Sequence, residues 1–234
     1  MPTDLPPPPD GRPPFDLAAL DIAGTTVEEH GAVYRALEEA VVAAGATPSP
    51  AELQAAMGAD KTEAITALLQ GTGNVPAVYD DFRARLAKAY AEVPPTALPG
   101  VAQAISTLRA AGVKVVLTTG FSREVTDALL ADVGWTVGSD DGEGVVDGVV
   151  CAEEVGAGRP APYMVFEAMR MTGTTDVRRV LVAGDTTNDL EAGTRAGAAT
   201  VVGVLTGAMD ADLLGAGPHT HLLAGVADLP RTFL

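Results

Sequence analysis

Asp21-Ile22-Ala23-Gly24-Thr25-Thr26 is the stretch that decides the fold. The run before it, Phe15 to Leu20, is short and mostly apolar, as in parallel strands buried on both faces, and predicts a central strand. The strand ends in an aspartate followed at once by Ala-Gly-Thr-Thr, a turn. Open α/β sheets bind ligands at the C-terminal tips of their strands. A carboxylate at such a tip can serve as a nucleophile, as in enzymes that pass through an aspartyl phosphate. An aspartate that only opens a turn would look the same locally, so the remaining chain has to decide.

Immediately downstream the pattern becomes helical. Ala32 to Ala44 is rich in Ala, Leu, Glu and Val and is followed by Gly45, a C-cap residue. Ser49-Pro50-Ala51-Glu52 offers an N-cap with proline at the first helical position, opening a helix to about Met57. Asp60 or Lys61 starts a third helix through Leu69. Val75 to Ala91 makes a fourth, with Tyr79, Phe82, Leu86 and Tyr90 on one stripe that reads as core packing. Pro94-Pro95 and Pro99-Gly100 break the chain. Residues 29–97 are thus expected to form an all-helical insert, a cap above the strand tips that excludes water.

From Val101 helices and strands alternate. Helices are expected over Val101–Ala111, from Ser122 to about Val133, from Tyr163 through Met171 and from about Asn188 to near Gly197. Strands are expected over Val113–Thr118, Val149–Ala152, Arg179–Ala183 and Ala199–Val204, with an edge strand near Leu222. The Gly- and Asp-rich stretch Gly134–Gly148 reads as loop. Such alternation implies an α/β fold with a doubly wound parallel sheet, its core formed by residues 14–28 and 98–234.

The 234 residues suit one domain with a sizeable insert, and 47% hydrophobic residues supply a core. A net charge of −16 argues against nucleic acid and anionic membrane surfaces as partners. No apolar run reaches the ~18 residues of a membrane span. The N-terminus lacks a basic-then-apolar leader pattern. The lone cysteine, Cys151, allows no internal disulfide and reads as a core residue. A cytoplasmic protein acting on a small molecule is expected, with a homodimer as an open assembly. Residues 1–13, with Pro6 to Pro9 consecutive, read as an extended arm. His219 and His221 lack a nearby third ligand and fit an exposed edge strand better than a metal pair.

The chemistry-bearing residues gather at the predicted strand tips. Asp21 ends the first strand, and Thr119-Gly120 follows the second with a hydroxyl and backbone amides suited to a phosphoryl group. Arg159 precedes a helix and offers a guanidinium fork for phosphate oxygens. Asp185 and Asp189 follow a later strand, and with Asp21 they make a hard-oxygen set suited to Mg²⁺. Each alone has a bland explanation as a cap or surface charge. Their joint placement does not.

This set resembles the haloacid dehalogenase superfamily of aspartyl-phosphate hydrolases over nearly the whole chain. The resemblance implies that Asp21 attacks phosphorus and that Mg²⁺ is held by Asp21, the Ala23 carbonyl and Asp185, supported by Asp189. It further implies that Thr25, Thr119, Gly120 and Arg159 hold the phosphoryl group. Phosphatases of the superfamily carry a second aspartate two residues after the nucleophile. Here Ala23 stands there, and the basic residue is Arg159 in place of lysine. Both changes are similar to the phosphonatase branch, as are Thr118 to Glu124 and Ala157 to Met164. That branch has a cap lysine that forms an imine with the substrate aldehyde, and Met57-Gly58-Ala59-Asp60-Lys61 is similar to its stretch. Lys61 then matches the imine lysine, with Met57 and Phe121 beside the substrate.

Two other positions depart. Gly31 and Ala64 stand where the branch has a cysteine and a histidine, which bears on the substrate more than on the reaction class. The resemblance implies cleavage of the carbon–phosphorus bond of phosphonoacetaldehyde or a close 2-oxoethylphosphonate. The alternatives are a Mg²⁺-dependent phosphatase of a small phosphate monoester, for which Ala23 is the obstacle, and an idle binding protein, against which the retained set argues. An imine requires Lys61 to lose its proton well below the usual ~10.4. Burial or a nearby cation would supply that shift, and Asp60 is expected to face solvent.

Overall fold

The computed structural model describes residues 12–138 and 144–234, so the proline-rich arm lies almost wholly outside the described residues. Strand β1 (Leu17–Asp21) is followed by β2 (Val27–Glu28), then by helices α1 (Ala32–Ala43), α2 (Pro50–Ala55), α3 (Lys61–Leu68) and α4 (Val75–Glu92). Strand β3 (Thr96–Ala97) returns the chain to α5 (Val101–Ala110), β4 (Lys114–Thr119), α6 (Arg123–Asp132) and β5 (Gly148–Cys151). After these come α7 (Tyr163–Thr172), β6 (Val180–Gly184), α8 (Thr187–Ala196), β7 (Thr200–Val204), α9 (Ala211–Ala216), β8 (His221–Leu223) and α10 (Leu229–Phe233).

Six strands form one sheet in the order β5-β4-β1-β6-β7-β8, every pairing parallel. All five residues of β1 are buried, which is why its sequence is apolar without alternation. Its side chains still divide between faces. Ala18 and Leu20 join a core with Ile105, Leu108, Leu129 and Leu130, and Leu17 and Ala19 join another with Met164, Val165 and Ala168. The chain leaves β1 for β4 on one side and β6 for β7 on the other. The crevice of a doubly wound sheet therefore falls at the tips of β1 and β6, beside Asp21 and Asp185.

The residues between β2 and β3 are helical, and α4 buries Val78, Phe82, Leu86 and Tyr90 against α1 and α3. Tyr79, expected on that stripe, is half-buried and Val78 takes its place in the core. The two strands that lead in and out of this insert pair antiparallel, Val27 with Ala97 and Glu28 with Thr96. Sequence reading missed this ribbon because two residues per strand carry no periodicity. His221 sits in edge strand β8 with its ring against Phe233, and His219 is exposed with Nδ1 beside the Gly217 carbonyl. Among the described residues no helix is long and apolar enough to cross a membrane.

Candidate active site

The insert lies over the strand tips and encloses a cavity of about 670 Å³ with them. Asp21, Ala23, Thr119, Gly120 and Asp185 line it from the core, and Met57, Gly58, Lys61 and residues of α1 from the insert; Phe121 also faces it. Two close approaches shape this seam. A Cβ on Gly120 would strike the Ala59 carbonyl, and one on Gly58, at φ 74°, would lie 2.5 Å from Thr186 Oγ1. Glycine at both positions lets the loop bearing Lys61 rest directly on the core.

Asp21 ends β1 with its side chain almost wholly buried. Oδ1 accepts from Arg159 Nη1 at 2.6 Å, a backbone hydrogen bond from Ile22 also reaches the carboxylate, and Asp21 lines the cavity. The turn that follows is tied down by Thr26 Oγ1, which donates to the Asp21 carbonyl at 2.9 Å. Arg159 has every face of its fork engaged. Nη1 also donates to the Gly58 carbonyl at 3.3 Å, and Nη2 donates to the carbonyl and hydroxyl oxygens of Thr118 at 2.9 and 2.6 Å. Nε stands 3.0 Å from Asp189 Oδ1, an ion pair without hydrogen-bond alignment, since that oxygen has no hydrogen-bond partner. Arg159 lies behind Asp21 and does not line the cavity, so in this geometry it orients the carboxylate.

Asp185 lies just past β6. Its Oδ1 accepts from Thr25 Oγ1 at 3.0 Å and its Oδ2 from the Ala208 amide at 2.7 Å. Thr25 is fully buried and holds Asp185 in place of reaching the cavity. Asp189 caps α8, its Oδ2 accepting from the Thr186 amide and hydroxyl at 3.2 and 2.5 Å. Of the four positions matched to a metal site, Asp21, Ala23 and Asp185 reach the cavity and Asp189 stands behind it. Among the described residues no group of three or more His, Cys, Asp or Glu is arranged to hold a metal. The set present is two carboxylates and a carbonyl. Burial pushes both Asp21 and Asp185 up, and the charge of Asp21 adds to the rise at Asp185. Two buried carboxylates, Asp21 paired with Arg159 and Asp185 held by neutral donors, fit a small divalent cation together with a hard carbonyl oxygen.

Lys61 is 3% exposed, a rare burial for lysine. It opens α3, its Nζ donating to the Ala59 carbonyl at 3.0 Å and standing 5.6 Å from the Phe121 ring centroid. Burial brings its pKa down to about 8 against the upward pull of Asp21 and Asp60, with Arg159 assisting. Asp60 does not simply face solvent. It is half-buried and caps α3 by accepting from the Glu63 amide at 2.9 Å.

Sequence reading missed the loop after β7. Thr206 Oγ1 donates to the Gly24 carbonyl at 2.7 Å, and with Gly207 and Ala208 it closes one wall of the cavity. Thr206-Gly207 repeats at this strand end the Thr-Gly pair read as functional at 119–120, a signal in plain view. Thr118 and Asn188 were given no role of their own, because their contacts are with residues far away in sequence.

The family model of haloacid dehalogenase-like hydrolases matches residues 15–197. Phosphonoacetaldehyde hydrolase of Bacteroides fragilis is 30% identical over 204 residues, which cover 78% of this chain and 73% of that one. A phosphonoacetaldehyde hydrolase like protein from Oleispira antarctica matches with a TM-score of 0.75 at 25% identity, over 94% of this chain and 91% of that one. A hydrolase from Pseudomonas syringae shares the fold with a TM-score of 0.76 at 21% identity, over 93% and 96% of the two chains.

Proposed function

The chain belongs to the haloacid dehalogenase-like hydrolases, in their phosphonatase branch, and from that premise we propose that it cleaves the carbon–phosphorus bond of phosphonoacetaldehyde or a close 2-oxoethylphosphonate. The observation that carries this reading is the buried Lys61 amine in the same cavity as the Asp21 carboxylate, with Ala23 where an acid would serve a phosphate ester. An alkoxide leaving group needs a proton donor, and Ala23 can give none. A carbon leaving group needs somewhere for its electrons to go, and an iminium on Lys61 provides that.

Neutral Lys61 adds to the substrate carbonyl and, with uptake of one proton from solvent, loses water to give a protonated imine. Asp21 Oδ2 attacks phosphorus, and the carbon–phosphorus electron pair moves into the imine, leaving an enamine on Lys61 and a phosphoryl group on Asp21. Protonation at carbon and hydrolysis free the carbonyl product and the amine. Water cleaves the aspartyl phosphate. Arg159 holds Asp21 in line through Oδ1 throughout. Asp21, the Ala23 carbonyl and Asp185 would hold Mg²⁺, which supplies positive charge against the phosphonate oxygens when bound. Gly120 and Thr119, at the tip of β4, complete the oxygen-binding wall.

The test is phosphate release with Mg²⁺, measured on phosphonoacetaldehyde beside a small phosphate monoester. Turnover of the phosphonate with little of the ester is expected. The opposite ranking would put the phosphatase reading first.

A further inference from the structure

We propose that Asn188 is a positioning residue that docks the Lys61 loop onto the hydrolase core. The proposal rests on the reading of Lys61 as the amine that binds the substrate carbonyl. A single amide nitrogen serves two acceptors in the insert: Asn188 Nδ2 lies 3.0 Å from the Ala55 carbonyl oxygen and 2.7 Å from that of Met57. Both carbonyls belong to the C-terminal end of α2 and the turn after it, where a helix leaves acceptors without partners. Asn188 stands in the first turn of α8, between Asp185 and Asp189. One side chain thus ties the segment that carries Met57, Gly58 and Lys61 to the turn that carries the core acids.

The other contacts on this seam are weaker in direction. Gly58 against Thr186 and Ala59 against Gly120 are close packing. The Gly58 carbonyl shares Arg159 Nη1 at 3.3 Å, and the Gly158 amide reaches Glu63 Oε1 at 3.3 Å. Among the described residues the Met57–Asn188 bond is the shortest hydrogen bond between residues 55–63 and the core. A neutral amide suits the position. A carboxylate would face two carbonyl oxygens, and an ammonium would sit beside the acids meant for a cation. Because Lys61 Nζ is held by Ala59 within the same loop, docking of the loop sets the distance from the amine to Asp21.

Asn188→Leu keeps the approximate shape, removes both donors and adds no charge near the acids. Hydrogen–deuterium exchange of residues 55–63 and acylation of Lys61 by acetic anhydride need no substrate, and kcat/KM for phosphate release is measured in parallel. Two ordinary hydrogen bonds correspond to roughly ten- to hundredfold in a docking equilibrium. Exchange of the loop and acylation of Lys61 are expected to speed up by about that factor, kcat/KM to fall comparably, and the unfolding midpoint to stay near wild type. Asn188→Gln, which keeps both N–H groups, should recover part of each change. Should leucine unfold the core, Asn188→Ala carries the same measurement. Wild-type exchange of residues 55–63 in the folded variant overturns the proposal. Faster exchange in a protein whose wild type turns over no phosphonate leaves the docking role intact and removes the functional reading instead.

Discussion

At the residue scale the site is governed by burial of charge. Lys61 and Arg159 are cations with almost no exposed surface, placed among Asp21, Asp185 and Asp189. Arg159 is the hub. Its three nitrogens meet Asp21, Thr118, Gly58 and Asp189, geometry that a planar fork can satisfy and a single ammonium cannot. Arg159→Lys is therefore expected to lower kcat/KM by about a hundredfold, mostly through kcat, because Asp21 loses its alignment. Steady-state phosphate release checks it, and wild-type kinetics would make Arg159 peripheral. Arg159 stands out as a candidate in the sequence from its place before a helix and its match to the branch. Its partners do not. Thr118 and the Gly58 carbonyl come to it across 41 and 101 residues, and no local pattern encodes such a meeting.

At the element scale most of the fold could be read from apolar runs and caps. Strands β1, β4, β6 and β7 are each buried along nearly their whole length, so their sequences stand out from the amphipathic helices between them. Boundaries slipped by about one residue at several strand tips. Thr119 and Gly184, expected just past their strands, belong to β4 and β6. Turn-forming glycine and threonine look like loop while the hydrogen-bond ladder still continues. The insert seam was not legible, since Gly120 reads as a phosphoryl-binding residue and Gly58 as part of the lysine stretch, and neither reading brings Ala59 and Thr186 against them. Gly120→Ala tests that seam. The three atoms nearest the added methyl all belong to the insert's backbone, so it should lift the Lys61 loop while leaving the sheet intact. The expected result is a drop of about tenfold or more in kcat/KM with a loss of no more than about 1 kcal/mol in stability. A large stability loss with unchanged turnover would place the clash in the core instead.

At the scale of the whole molecule the net charge of −16, which already counts Asp21 and Asp185, adds to the cost of ionising these two buried carboxylates. Burial raises both Asp21 and Asp185, so the folded state holds their protons more tightly than the unfolded chain does. In chelator, stability should therefore fall as pH rises from ~4, where the unfolded carboxyls ionise, into the neutral range where the folded ones do. Mg²⁺ should raise the unfolding midpoint at neutral pH and flatten that slope, because it binds the folded state alone. Thermal melts with and without Mg²⁺ across this range check both, with Asp185→Asn expected to lose most of the metal effect. A metal-independent melting curve at neutral pH would remove the cation from the account.

In the proposed reaction the buried Lys61 amine forms an imine with the substrate carbonyl. Borohydride reduction during turnover of phosphonoacetaldehyde, followed by peptide mass mapping, measures it directly. With Lys61 brought down to about 8, trapping should strengthen as pH rises toward that value and the free amine accumulates. A substrate-dependent adduct on the peptide containing Lys61 is expected, absent in Lys61→Arg together with the activity. Phosphate release at full rate with no adduct, or an active Lys61→Arg enzyme, would contradict the imine step.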